Sequence, residues 1–159
     1  MTAFHCQPIP TATATRFRTT GTDDSANTLR RITATEGGSY PCRHCLAFGR
    51  PGETMLLGSY NLPGPLGIYW TPSPIFIHAD TCPLFSARNV VAPIIRQGVL
   101  VSVRAYDAAD QCLYELGEVC AGRDVDAPLE RALADARTAF VNVHTARPGC
   151  LLARVERDG

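Results

Sequence analysis

The sequence contains no lysine, and all fifteen of its basic residues are arginine. Enzymes that form a Schiff base through lysine, and those that hold phosphates with a P-loop or kinase lysine, are therefore excluded. The motifs G-x-S-x-G, G-x-G-x-x-G and H-E-x-x-H are also absent. Their absence gives no support to a hydrolase nucleophile elbow, a dinucleotide site or a zincin helix.

The sequence also lacks a long apolar run and an excess of charge of either sign. Its 15 arginines balance 15 acidic residues, so we expect neither nucleic acid nor an anionic membrane as a partner. No stretch approaches the roughly 18 apolar residues that span a bilayer, and the N-terminus lacks the pattern of a signal peptide. We therefore expect a cytoplasmic protein, in which the seven cysteines are reduced thiols or metal ligands.

The chain length of 159 residues fits one domain. Residues 1–14, rich in Thr, Ala and Pro, predict a loose leader before a single domain at 15–159. Alternating apolar and polar residues between turn signals predict eight short strands. The predicted strands are 16–20, 29–35, 54–60, 74–79, 99–106, 112–119, 139–145 and 150–156.

Two helices are predicted, a short one at 89–97 and a dominant one that begins near Asp126 as N-cap. In the second helix one apolar stripe recurs with helical period, formed by Leu129, Ala132, Leu133, Ala136 and Phe140. Short turns joining most of the strands favour antiparallel pairing. The sequence thus predicts a single α+β domain, mainly one antiparallel sheet with one dominant C-terminal helix and one short helix.

Four soft donor side chains stand in two short clips, Cys42-x2-Cys45 and His78-x3-Cys82. Thiolate and imidazole ligands of this kind suit a tetrahedral zinc ion. The clips are 32 residues apart, farther than in a compact zinc finger. The alternative interpretation is a set of small buried thiols beside a half-buried histidine.

The first clip also resembles a redox dithiol. In that interpretation Cys42 is the attacking thiolate, His44 lowers its pKa, and Cys45 is the resolving thiol. Such motifs open a long helix, whereas the turn residues 49–52 end any helix here.

A second candidate site is polar. If the polar strand faces meet in one pocket, His144 acts as a general base with Arg104, Tyr106 and Asp107 as catalytic partners. Arg43 and Arg147 then bind a carboxylate or phosphate. The alternative is that these side chains form solvated outer faces of a sheet.

Five ordered runs resemble the bacterial family designated domain of unknown function 1203. The resemblance extends over about residues 16–157, and it implies membership in that family without supplying a mechanism. The runs are Tyr40-Pro-Cys-Arg-His-Cys-Leu46, Met55-Leu-Leu-Gly-Ser-Tyr60, Pro74-Ile-Phe-Ile-His-Ala79, Val103-Arg-Ala-Tyr-Asp-Ala108 and Val143-His-Thr-Ala-Arg-Pro-Gly-Cys150.

Three functional hypotheses follow from these residues. The leading one is a small zinc-binding protein that uses the Cys/His cluster. The second is an enzyme or small-molecule binder that uses the Arg/His/Tyr face, and the third is an interaction module.

Overall fold

The computed structural model describes residues 1–159 as two antiparallel sheets with three α-helices. The strands are β1 (Phe4–Gln7), β2 (Arg30–Thr33), β3 (Thr54–Tyr60), β4 (Ser73–His78), β5 (Val101–Asp107), β6 (Glu118–Cys120), β7 (Thr138–Thr145) and β8 (Leu151–Arg157). The α-helices are α1 (Thr11–Thr20), α2 (Pro93–Arg96) and α3 (Asp126–Ala134), and single 3₁₀ turns lie at Gly67–Tyr69, Tyr114–Leu116 and Gly122–Asp124.

The strands form two separate sheets. The larger has five strands in the order β1-β8-β7-β5-β6, and the smaller has three in the order β2-β3-β4. All neighbouring strands within both sheets run antiparallel. The predicted α+β class is therefore confirmed, with two sheets in place of one.

The core of the larger sheet follows the predicted alternation. On β5, Val101, Val103 and Ala105 are fully buried. Leu129 and Leu133 of α3 belong to the same apolar cluster, because residues four apart lie on one helix face. α3 ends at Ala134, so Ala136 and Phe140, the last two residues of the predicted stripe, lie beyond the helix.

The N-terminal segment is ordered, and the prediction of a loose leader over residues 1–14 is wrong. β1 pairs with β8 from Phe4 opposite Arg157 to Gln7 opposite Arg154. Phe4 and Cys6 are buried, whereas His5 and Gln7 are half-buried. This alternation is too short to identify a strand from the sequence.

The predicted strand at 16–20 is also wrong, because these residues form the second half of α1. Ala14 and Phe17 bury one face of this helix. α1 has ten residues and α3 has nine, so no single C-terminal helix dominates. None of the helices has the length and apolar character that crossing a bilayer requires.

Two other elements are shorter than predicted. The helix expected at 89–97 is the four-residue α2, which starts at Pro93 as a proline at the first helical position allows. The strand expected at 112–119 is reduced to β6, after a 3₁₀ turn at Tyr114–Leu116.

Candidate metal centre

The first cysteine clip is held against the free edge of β4. Cys42 forms a parallel bridge with Phe76, and the Arg43 main-chain N–H donates to the Phe76 carbonyl at 2.9 Å. Leu46 has a positive φ of 53°, which turns the chain so that Cys42 N–H donates to the Ala47 carbonyl at 2.9 Å. The clip is therefore a tight loop docked beside the strand that ends at His78.

The four predicted ligands converge in this fold. One ligand atom from each of Cys42, Cys45, His78 and Cys82 lies within 4.8 Å of the others. The Cys42 and Cys82 sulfur atoms are 3.9 Å apart, and Cys45 Sγ is 3.5 Å from His78 Nδ1. A tetrahedral zinc ion, with Zn–S near 2.3 Å and Zn–N near 2.05 Å, implies S–S and S–N edges of about 3.8 and 3.6 Å. Two of the six separations thus match a zinc tetrahedron, and the cluster could hold a metal ion such as zinc.

The cluster opens onto a cavity. Cys42 is fully buried, whereas Cys45, His78 and Cys82 are half-buried and line a cavity of about 430 Å³. Asp80 also lines this cavity. An ion would thus reach the cluster from the cavity side.

Glu53 orients the ring of His78. The ring Nε2 donates to Glu53 Oε2 at 3.0 Å, which leaves Nδ1 free to face the three sulfur atoms. The Arg50 main-chain N–H, followed by the Arg50 and His78 side chains, lowers the pKa of Glu53 to about 2. A carboxylate that accepts from the second ring nitrogen is the usual support for a metal-binding histidine.

Two side chains outside the cluster contact the sulfur atom of Cys82. Arg18 Nη2 lies 3.4 Å and His44 Nδ1 lies 3.2 Å from Cys82 Sγ. Thr11 Oγ1 forms a hydrogen bond with His44 Nε2 at 2.9 Å, so both ring nitrogens of this histidine have a partner. Burial, then the charge of Arg18, lowers the pKa of His44. The ring of His44 contacts Cys82, and it is the main-chain N–H of His44 that helps to lower the pKa of Cys42, after the larger effects of Cys45 and His78.

The thiols differ in acidity. The pKa of Cys42 lies well below its ordinary value, because Cys45 donates a hydrogen bond to its thiolate and His78 contributes further. The same hydrogen bond raises the pKa of Cys45, and burial raises that of Cys82. A divalent cation stabilises thiolates directly, so binding would release the protons that these two thiols keep.

The clip lacks the helix that redox dithiols use. Pro41 forms an antiparallel bridge with Phe48, and the clip lies in a turn between them. The structure therefore favours the four-donor cluster over the dithiol pair.

Of the polar candidates, the structure brings Arg43 and His144 together. Arg43 is buried and donates through Nε and Nη1 to the carbonyls of Leu151 and Pro41, both at 2.6 Å. Leu151 lies opposite His144 in the β7–β8 pair. His144 is also buried, and its ring Nδ1 donates to the Gly149 carbonyl at 2.9 Å.

Arg104 lies near both His144 and Tyr106. Arg104 donates to Ser102 Oγ at 3.2 Å, and Tyr106 stacks on Phe140 with ring centroids 5.2 Å apart. Asp107 caps its turn by accepting from two main-chain N–H groups at 2.9 Å.

Arg147 is exposed and lines the larger of the two main cavities. The other five polar candidates line neither cavity. The catalytic role of His144, Arg104, Tyr106 and Asp107 stays a prediction.

A family model described as "Protein of unknown function (DUF1203)" matches residues 39–157. The chain belongs to the DUF1203 family. All four cluster residues of this DUF1203 member fall inside the matched segment, whereas Thr11 and Arg18 precede it. No curated protein and no solved structure matches the chain.

Sequence reasoning missed three residues that support the cluster: Thr11, Arg18 and Glu53. Thr11 and Arg18 are seven residues apart, two turns of a helix, so recognising α1 would have placed them on one face. Glu53 directly precedes β3, in which Met55 pairs with His78. The carboxylate of Glu53 reaches the ring of His78 only because of the register in which β3 pairs with β4.

Proposed function

We propose that this protein binds one zinc ion through Cys42, Cys45, His78 and Cys82, in a site closed by four protein ligands. The observation that supports the proposal most is the convergence of the four ligand atoms within 4.8 Å of one another. One S–S separation of 3.9 Å and one S–N separation of 3.5 Å match the edges of a zinc tetrahedron. Soft thiolates favour zinc over magnesium or calcium, which prefer oxygen ligands.

The charges around the cluster support a site with three thiolates. Three thiolates and a neutral imidazole around Zn²⁺ carry a net charge of −1. Arg18 contacts Cys82, and the buried Arg43 has no carboxylate among its hydrogen-bond partners. Burial lowers the pKa of Arg43 to about 10, and negative charge at the neighbouring cysteines acts in the opposite direction. An anionic metal centre thus offsets positive charge that is otherwise poorly compensated.

The role of the ion would be structural. Cys82 belongs to residues 79–92, a segment without a strand or helix, and such a segment has little regular hydrogen bonding to hold it. Coordination would tie this segment to the clip at 42–45 and to the end of β4. Because the unfolded chain has no preformed site, the binding energy would add to the stability of the fold.

Elemental analysis of purified protein tests the proposal. We expect one zinc per chain in the wild type and in Cys112→Ser, a matched control for loss of a half-buried thiol outside the cluster. Cys45→Ser should lose most of its zinc, and a chelator should lower the melting temperature of the wild type much more than that of this variant.

Three results would contradict the proposal. If wild-type protein contained no metal after growth in zinc-supplemented medium, metal binding by this protein would be contradicted. Full zinc content in Cys45→Ser would show that the ion is held elsewhere. Iron in place of zinc would overturn the choice of metal.

A further inference from the structure

The larger cavity of the protein has a volume of about 570 Å³. It lies between the β7–β8 turn, the segment that leads from α2 into β5, and the loop that carries the cysteine clip. Phe48, Ile94 and Leu152 line it, and the last two are almost fully buried. Its size falls within the range of small-molecule sites, about 300–1,000 Å³.

The cavity contains one charged side chain. Arg147 lines it, and no aspartate or glutamate does. The guanidinium of Arg147 takes part in no ion pair of the protein, whereas the exposed Arg131 and Arg137 pair with carboxylates. The cavity therefore presents a free cation beside an apolar surface.

The rim of the cavity is also apolar. Val99 is 79% exposed and Leu100 is 38% exposed, and both line the cavity. Exposed apolar side chains that adjoin a concave site are a common mark of a binding surface. A ligand in the cavity would cover them.

We propose that this cavity binds a small amphipathic carboxylate. The apolar body of the ligand lies against Phe48, Ile94 and Leu152, and its carboxylate forms a bidentate pair with Arg147. A single guanidinium without a second basic group matches a monoanion better than a phosphate, which carries more charge. Arg147 is the residue to which the sequence analysis assigned the binding of a carboxylate or phosphate, and the proposal names the class of ligand. The proposal does not depend on the metal centre.

The test uses octanoate and 1-octanol as probes, which share an alkyl chain and differ in the carboxylate. We expect saturable 1:1 binding of octanoate to the wild-type protein, followed by NMR titration. Arg147→Gln should weaken octanoate binding about tenfold, since a hydrogen bond to a charged group contributes about that much. Binding of octanol should be equal in the two proteins.

Two further variants check the location. Val99→Glu places a carboxylate at the rim on an exposed residue and should weaken octanoate binding more than octanol binding. Arg30→Gln, which removes an exposed arginine on the other sheet, should bind octanoate as the wild type does. The proposal is overturned by the absence of saturable octanoate binding. Unchanged octanoate affinity in Arg147→Gln, or an equal loss in Arg30→Gln, would overturn it as well.

Discussion

Glu53 and His78 meet at the edge of the three-stranded sheet, with 3.0 Å between Oε2 of the carboxylate and Nε2 of the ring. This contact fixes which ring nitrogen faces the sulfur atoms, so it decides whether the histidine is presented as a ligand. A carboxylate in this position also makes the ring a stronger donor to a metal.

The change Glu53→Gln should therefore weaken zinc binding. The amide still accepts from the ring but carries no charge, so we expect a loss of affinity of about tenfold, measured by competition with a chromophoric chelator. Glu36→Gln, an exposed site, is the matched control. Equal affinities of Glu53→Gln and wild type would show that the carboxylate does not support the ligand.

Arg18→Met should also lower zinc affinity. The substitution keeps an unbranched apolar stem and removes the positive charge that contacts Cys82. We expect a loss of about tenfold in the same competition assay. Arg16→Met, two residues away on α1, changes a surface ion pair with Asp24 and should leave the affinity unchanged. A loss of zinc affinity in both variants would indicate a general defect of α1 rather than the loss of the contact between Arg18 and Cys82.

Leu133→Ala should destabilise the protein by about 2–5 kcal/mol, because it removes transfer energy and leaves a cavity. Leu133 is 2% exposed and lies near the C-terminal end of α3. Urea denaturation measures the change in the free energy of unfolding. Leu66→Ala, at a residue that is 57% exposed, provides the comparison and should cost less than about 1 kcal/mol. A similar small cost at Leu133 would mean that α3 is not packed on the sheet.

Acid should destabilise the fold through His144. Burial, then the charge of Arg104, lowers the pKa of this histidine from 6.5 to about 4. The unfolded chain therefore binds the proton first as the pH falls, and stability is lost between about pH 6.5 and 4. The full effect is on the order of 3 kcal/mol.

The measurement compares wild type with His144→Gln at equal metal content, by denaturation at several pH values. The variant should lose less stability than the wild type across this window. His5→Gln, a half-buried histidine on β1, serves as the control. Parallel pH profiles of wild type and His144→Gln would contradict the assignment.

The ligand cluster and most strands were predictable because their signals are local. Cys42 and Cys45 form one clip, His78 and Cys82 another, and donor chemistry alone suggests that the clips share an ion. The alternation of Val101, Val103 and Ala105 likewise identifies a strand without knowledge of its neighbours.

The features that could not be predicted from the sequence depend on long-range contacts. β1 is held by its pairing with β8 at the other end of the chain. α1 is rich in threonine, a weak helix former, and its burial of Phe17 in the core outweighs that propensity. The contacts of Arg18 and Glu53 with the cluster required the tertiary structure.

The segment shared with the DUF1203 family, residues 39–157, does not coincide with a folding unit. A fragment cut at those limits would keep all four cluster residues but lose α1, and with it Thr11 and Arg18. It would also lose β1 and leave the edge of β8 unpaired, which invites association between chains. Expression of the family segment alone should therefore give an aggregating product, and the N-terminal residues belong in any shortened version of the protein.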